Sequence, residues 1–194
     1  NFEAPTDSDA NNVYEIDVRV SDGSLFVDKS VSISVTNVNE FPAVTSPTIA
    51  TTSENVPATT VVYTATATDP DANTTLAFSI SGGADASLFN INASTGAVTF
   101  KASPNFEAAA DAGKNNVYDI VIRASDGSLF ADKALTITVG NLNEAPSITS
   151  ANTIATLENI ATTTTIYTAA ATDPDANTTL IYSISGGADS ALFN

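Results

Sequence analysis

The chain repeats itself at a fixed spacing of 104 residues, as from Asn37 to Asn141, and no other feature constrains its fold as strongly. "NFEA" begins at Asn1 and again at Asn105, "NNVY" at Asn11 and Asn115, and "SDGSLF" at Ser21 and Ser125. "TNVNE" from Thr36 answers "GNLNE" from Gly140, and Glu54-Asn55 answers Glu158-Asn159, with no insertion or deletion between copies. A solenoid repeat is far shorter; this period suits a whole domain of about 100 residues. The phase divides the chain into the C-terminal half of one module (1–42), a complete module (43–146) and the N-terminal half of a third (147–194).

Within the module the dominant period is two. "VYDIVIRASDG" sets Tyr118, Ile120, Ile122 and Ala124 on one face and Asp119, Val121, Arg123 and Ser125 on the other. "KSVSISVTN" sets Val31, Ile33 and Val35 against Ser30, Ser32 and Ser34. That alternation predicts half-buried antiparallel strands. Ser94-Thr95-Gly96 between two such runs reads as a hairpin, with Gly96 free to take positive φ. Only "ADASLF" offers a helical turn. Six or seven strands with regular turns predict an all-β fold, a Greek-key β-sandwich of the immunoglobulin-like kind. A ten-residue strand spans about 33 Å, so such modules stacked end to end form a rod.

Composition removes whole classes of chemistry. There is no histidine and no cysteine, so the commonest general base, the commonest zinc ligand, thiolate chemistry and disulfides are all missing. A formal net charge of −16 opposes binding to nucleic acid or anionic membranes. No apolar run approaches membrane-spanning length and no signal peptide is visible. With no methionine anywhere, the chain reads as a segment of something longer or a processed product.

The acids fall at strand ends. "ATDPDANTTL" occurs twice, giving Asp69 and Asp71, then Asp173 and Asp175. A helix–loop–helix calcium loop would need glycine and glutamate where Thr74 and Ile80 stand, which excludes that motif. Strand ends alternate between the two ends of a sandwich. Asp69, Asp71 and Asp126 are therefore expected at one end, and Glu54, Glu107 and Glu144 at the other. Stacking would bring the bottom acids of one module against the top acids of the next. A glycosidase-type carboxylate pair would instead need a cleft and a desolvated acid within one domain. No such cleft is legible, no serine sits in a nucleophile motif, and the chain is read as no enzyme.

These motifs carry a resemblance to the cadherin family, especially the cadherin-like repeats of bacterial surface adhesins. "SENV" resembles the family's PEN segment, "NFE" its D-R-E segment and "DPD" its D-x-D. "YDIVIRASD" resembles Y-x-L-x-V-x-A-x-D, and "NLNEAP" resembles D-x-N-D-N-x-P. The resemblance runs through both copies and implies Ca2+ between successive modules, stiffening the linker. Carried over, the first junction uses Glu3, Asn37, Asn39 (through its carbonyl) and Glu40 from one side. Asp69, Asp71 and Asp126 come from the other, with a carbonyl near Asn73. The second uses Glu54, Glu107, Asn141, Asn143, Glu144, Asp173 and Asp175. Asp22 and Glu158 would serve junctions outside this window.

The sequence departs from the family pattern at Asn1 and Asn105, at Asn37 and Asn141, and at Glu40 and Glu144, and its linker is one residue shorter. Fewer anionic ligands predict weaker binding, toward the millimolar range of extracellular modules, with one or two ions per junction. An all-oxygen, multi-carboxylate set favours calcium over magnesium.

Other features take plainer readings. Asp7, Asp9 and Asp111 read as solvated loop charges, and Lys29 and Lys133 as ordinary surface charges. The threonine run in "YTATATD" reads as strand composition, since one strand per module makes no ice-binding array. Asn73, Asn92 and Asn177 fit glycosylation sequons but read as turn residues.

The expected function is therefore a calcium-rigidified spacer segment of a secreted or cell-surface bacterial adhesin. Its expected partners are neighbouring repeats of the same or like chains. An alternative is an extracellular or biofilm matrix fibre in which half modules of different chains complete one another. Residues 147–194 followed by 1–42 would make a module lacking only the stretch equivalent to Ile91–Pro104.

Overall fold

The computed structural model describes residues 1–194. Its strands, in chain order, are β1 (Val13–Ser21), β2 (Phe26–Ser34), β3 (Ala43–Val44), β4 (Ile49–Ser53), β5 (Val61–Thr64), β6 (Ala67–Thr68) and β7 (Ala77–Gly82). They continue as β8 (Phe89–Ile91), β9 (Ala97–Phe100), β10 (Val117–Ser125), β11 (Phe130–Gly140), β12 (Ser147–Ile148) and β13 (Ala171–Thr172). Helix is confined to single 3-10 turns at Ala86–Leu88, inside the expected "ADASLF", and at the repeat-equivalent Ser190–Leu192.

The central unit is a sandwich. One sheet has the order β4-β11-β10-β7 and faces a second ordered β5-β9-β8, with the short pair β3-β6 beside them. The period-two reading of β10 holds: Tyr118, Ile120, Ile122 and Ala124 are all buried, with Ile137 and Leu135 of β11 opposite Tyr118 and Ile120, and Val139 of β11 buried as well. Tyr63, Ala65, Phe89, Val98 and Phe100 fill the space from the other sheet. Phe89 and Phe100 lie 4.4 Å apart between ring centroids, and Tyr118 stands edge-on to both, the geometry that aromatic quadrupoles favour. At the β8–β9 turn, Gly96 has φ +70, and an added Cβ would lie 2.3 Å from the Ala65 carbonyl oxygen. Only glycine fits there.

The expectation of purely antiparallel pairing is corrected at one place: β4 runs parallel to β11. The chain enters the module at one end and leaves at the other, so its first long strand and its last run in the same direction. Two of the plain charge readings are corrected as well. Asp111 is fully buried and accepts the N–H groups of Asn115 and Asn116. Lys133 reaches across the sheet and donates to the carbonyls of Val44 (3.2 Å) and Ser46 (2.6 Å), pinning β3. The Lys133 contacts are invisible to local pattern because Val44 and Ser46 are far away in sequence; the Asp111 bonds are local, to residues four and five along, and only its burial depends on the rest of the fold.

The flanking segments repeat pieces of this unit. β1 and β2 pair in the register of β10 and β11, with Ile16↔Val31 matching Ile120↔Leu135. Ile16, Val18 and Ile33 are about half exposed, because residues 1–42 carry no counterpart of β3 to β9 to cover them. β12 and β13 repeat the β3–β6 pair. Asn73 and Asn177 both take left-handed φ (63° and 66°), and Asn92 accepts the N–H groups of Ser94 and Thr95. All three asparagines serve turns.

Candidate metal centre

Acids gather at both ends of the sandwich, from two modules at the first seam and, at the second, from the central module alone, where Asp175 of the next module arrives on the Glu144 N–H. Glu3, Glu40 and Asp71 meet at the first seam, and Glu54, Glu107 and Glu144 at the second, with a carboxylate oxygen from each lying within 4.8 Å of the others. β2 and β11 deliver the linker residues, since both run straight to the seam before the chain turns into the next module. The β6–β7 connection delivers "DPD", where the Asp71 N–H donates to Asp69 Oδ1 at 2.9 Å and Asp175 repeats the bond with Asp173.

At the first seam the linker is tied to the module below by hydrogen bonds. Asn37 Nδ2 donates to Asp71 Oδ1 at 2.6 Å, the Glu40 N–H donates to Asp71 Oδ2 at 2.9 Å, and Asn39 Nδ2 donates to Asp126 Oδ2 at 2.6 Å. With the Asp69–Asp71 bond they link Asn37, Asn39, Glu40, Asp69, Asp71 and Asp126, and Glu3 joins them through the proximity of its carboxylate alone. Asn37 and Asn39 here present amide hydrogens, where the resemblance implies oxygen donors toward an ion. At the second seam the Glu144 N–H donates to Asp175 Oδ2 at 2.8 Å, and Asn143 Nδ2 donates to the Glu144 carbonyl. Asn141 is exposed and does not join that hydrogen-bonded group.

Glu54 is the most enclosed acid of the set at 1% exposure. It accepts the Leu142 N–H at 2.8 Å and the Phe106 N–H at 2.7 Å, which locks the linker to the loop that carries Glu107. Two polar side chains, one at the second seam and one elsewhere in the module, escaped the sequence reading. Asn55 donates from Nδ2 to Glu144 Oε1, and buried Asp85 holds the N–H groups of Ala112 and Asp119. Asn55 adjoins Glu54 and recurs at Asn159, a signal available in the sequence; Asp85 had none beyond its recurrence at Asp189.

The electrostatics are unbalanced. Partial burial, and then the charges of Glu3, Asp71 and Asp69, push the Glu40 carboxyl above the usual range. Glu107 is raised by the same causes, its neighbours being Glu54 and Glu144. Asp71 is lowered by the Asn37 amide and then the Glu40 N–H, and Asp126 by the Leu129 N–H and then Asn39. Where donors reach a carboxylate its charge is stabilised; elsewhere it is opposed. Four carboxylate oxygens in these groups (Glu3 Oε1, Glu40 Oε2, Asp69 Oδ2 and Glu144 Oε2) are buried without any hydrogen-bond partner. Unpaired anionic oxygens converging from several loops and linkers are the donor set of a hard divalent cation. The residues present therefore fit calcium.

Residues 48–140 match the family model of the cadherin domain. The chain is 30% identical over 172 residues to protocadherin Fat 4 of Mus musculus and, equally, of Homo sapiens. That alignment takes in 84% of the chain but only 3% of either relative's length. Among solved structures, the cis-dimer structure of protocadherin gammaB7 EC3-6 superposes with a TM-score of 0.58 at 19% identity, covering 88% of this chain and 44% of that one. Mouse cadherin-23 EC22-24 superposes with a TM-score of 0.53 at 23% identity, covering 72% and 45%. Sheet order, core and family match converge on the central unit: residues 48–140 form a cadherin domain. Such a domain is an extracellular, adhesion-type module and not an enzyme. No helix is long and apolar enough to cross a membrane.

Proposed function

We propose that the chain is a calcium-rigidified rod segment: spacer repeats of a secreted or cell-surface bacterial adhesin, with module boundaries near residues 43 and 146. One observation carries this reading. The first seam collects carboxylates from two successive modules, the second sets three carboxylates of the central module beside Asp175 of the next, and both contain buried oxygens that nothing in the protein satisfies. At the first seam Glu3, Glu40, Asp69, Asp71 and Asp126 would hold the ion, with Asn37 turning its amide oxygen inward and Asn39 offering its carbonyl. At the second the holders would be Glu54, Glu107, Glu144, Asp173 and Asp175, with Asn141 and Asn143. A bound divalent cation offsets repulsion that otherwise pushes the modules apart, so neighbouring sandwiches would dock more stiffly. Near-identity of the copies supports a spacer over a ligand-binding face, which has reason to diverge from its neighbours.

Small-angle scattering of the 194-residue chain in millimolar calcium and in excess chelator tests this. An extended, stiffer particle with calcium supports the reading, and superimposable curves refute it. In the matrix-fibre alternative, half modules of different chains complete one another. Assembly that grows with protein concentration would select it.

A further inference from the structure

Beside the second seam lies a polar side chain that the proposed cation site does not use. Asn116 is 7% exposed, at the start of β10, with left-handed φ of 62°. Three elements converge on it. Its N–H donates to buried Asp111 Oδ1 at 2.9 Å, and its carbonyl accepts the Val139 N–H of β11 at 2.9 Å. Its Nδ2 donates to the Phe106 carbonyl at 2.8 Å. Phe106 precedes Glu107, and its own N–H holds Glu54 Oε2. A single amide thus clamps the peptide that leads into one candidate ligand and orients the N–H that fixes another.

The arrangement is duplicated. In the first module Asn12, with φ 63°, takes its N–H to Asp7 Oδ1 and its carbonyl to the Val35 N–H. Its Nδ2 donates to the Phe2 carbonyl at 2.9 Å, beside Glu3. A loop residue needed only to turn the chain has no reason to keep its side-chain amide on the peptide next to a seam glutamate in both copies. The left-handed backbone explains asparagine in place of a larger residue, and the Nδ2 bond explains asparagine in place of glycine.

We infer that Asn116 and Asn12 are positioning residues. Each sets the backbone from which one seam glutamate projects, Glu107 and Glu3 respectively, and Asn116 also sets the N–H that orders Glu54. The inference rests on the calcium reading for its consequence, but the relay itself exists without any ion.

The test is the variant Asn116→Asp in the full 194-residue chain, which keeps the side-chain shape and removes the donor. Asn116→Gly is the second variant, since it accepts positive φ and cannot make the bond. In chelator, amide exchange at Phe106 is expected to accelerate at least tenfold in both variants while Val38, at the other seam, is unchanged. Wild-type exchange at Phe106 would overturn the relay whether or not calcium binds. Calcium alone is then titrated by amide NMR, following Leu142 and Val38 as reporters of the two seams. Asn116→Asp is expected to raise the second-seam midpoint about tenfold, the effect of losing one hydrogen bond, and to leave the first untouched. Asn12→Asp should do the reverse. Equal shifts at both seams, or none, would mean a merely structural asparagine and overturn the inference. Absence of any calcium response in the wild type, with exchange at Phe106 still accelerated in the variants, would refute the proposed function and leave the relay standing.

Discussion

Replacing Glu54 by glutamine separates the two roles assigned to that side chain. Glu54 is almost wholly enclosed and its two carboxylate oxygens each accept one backbone N–H, from Leu142 and Phe106. Glutamine keeps one acceptor and turns an NH2 group toward the other N–H, so one charge-assisted bond is lost and a buried donor is left unpaired. That costs about 2 kcal/mol. For a domain of this size the melting temperature should fall by roughly 8–16 °C. The same substitution removes an anionic ligand from the second seam. A tenfold weaker site at saturating calcium removes a further ~1.4 kcal/mol. In chelator the loss should be smaller, because removing the Glu54 charge relieves its repulsion with Glu107, one of the causes that raise the Glu107 carboxyl. Differential scanning calorimetry of both proteins, with calcium and with chelator, measures all four states. A drop in chelator that equals the drop in calcium would refute the ligand role. No drop in either would refute the hydrogen-bond account too.

Chelation of the wild-type chain should lower its melting temperature and increase its flexibility in solution; unchanged melting and unchanged scattering curves would contradict this. Asn37→Asp adds an anionic ligand but removes the amide that bonds Asp71, so calcium affinity should rise while the ion-free first seam loosens, read by titration and by amide exchange at Glu40. Asp111 gives a pH dependence. Burial alone would raise its carboxyl, but the Asn115 and Asn116 N–H groups and nearby Lys114 outweigh that and lower it. The folded carboxyl thus holds its proton less tightly than the unfolded one, and its stabilisation is present above the unfolded carboxylate range, near pH 4. It is lost as pH falls through the lowered folded value. Asp111→Asn should flatten that acid limb of the stability curve, and a limb of unchanged slope would contradict the assignment. Light scattering of the 194-residue chain should give one concentration-independent mass if the half modules do not complete one another.

How much of this was legible in sequence depends on the range over which each interaction acts. β10 and β11 were readable because every second residue of Tyr118–Ala124 is apolar, and a strand's two faces are set by local geometry alone. The hairpin at Gly96 and the turns at Asn73 and Asn92 were readable for the same local reason. The pairing of Glu40 with Asp71 came from the resemblance to the cadherin family, which implies ligands from both sides of a junction; no local pattern connects the two residues. Lys133 was misread because Val44 and Ser46 are far away in sequence, and Asp111 because its burial is set by the whole fold although its Asn115 and Asn116 bonds are local. Asn116 stayed hidden beside a more obvious strand, although its recurrence as Asn12 was in plain view. The parallel β4–β11 ladder depends on where the chain enters and leaves the module, a property of the whole fold.

A crystal structure at high resolution, grown in millimolar calcium, bears most directly on whether a cation joins these modules. A spherical density peak should lie between Glu3, Glu40 and Asp71, with oxygen distances of about 2.3–2.6 Å to residues on both sides of the seam. Water alone at ordinary hydrogen-bond distances, or Glu40 and Asp71 standing apart, would contradict it.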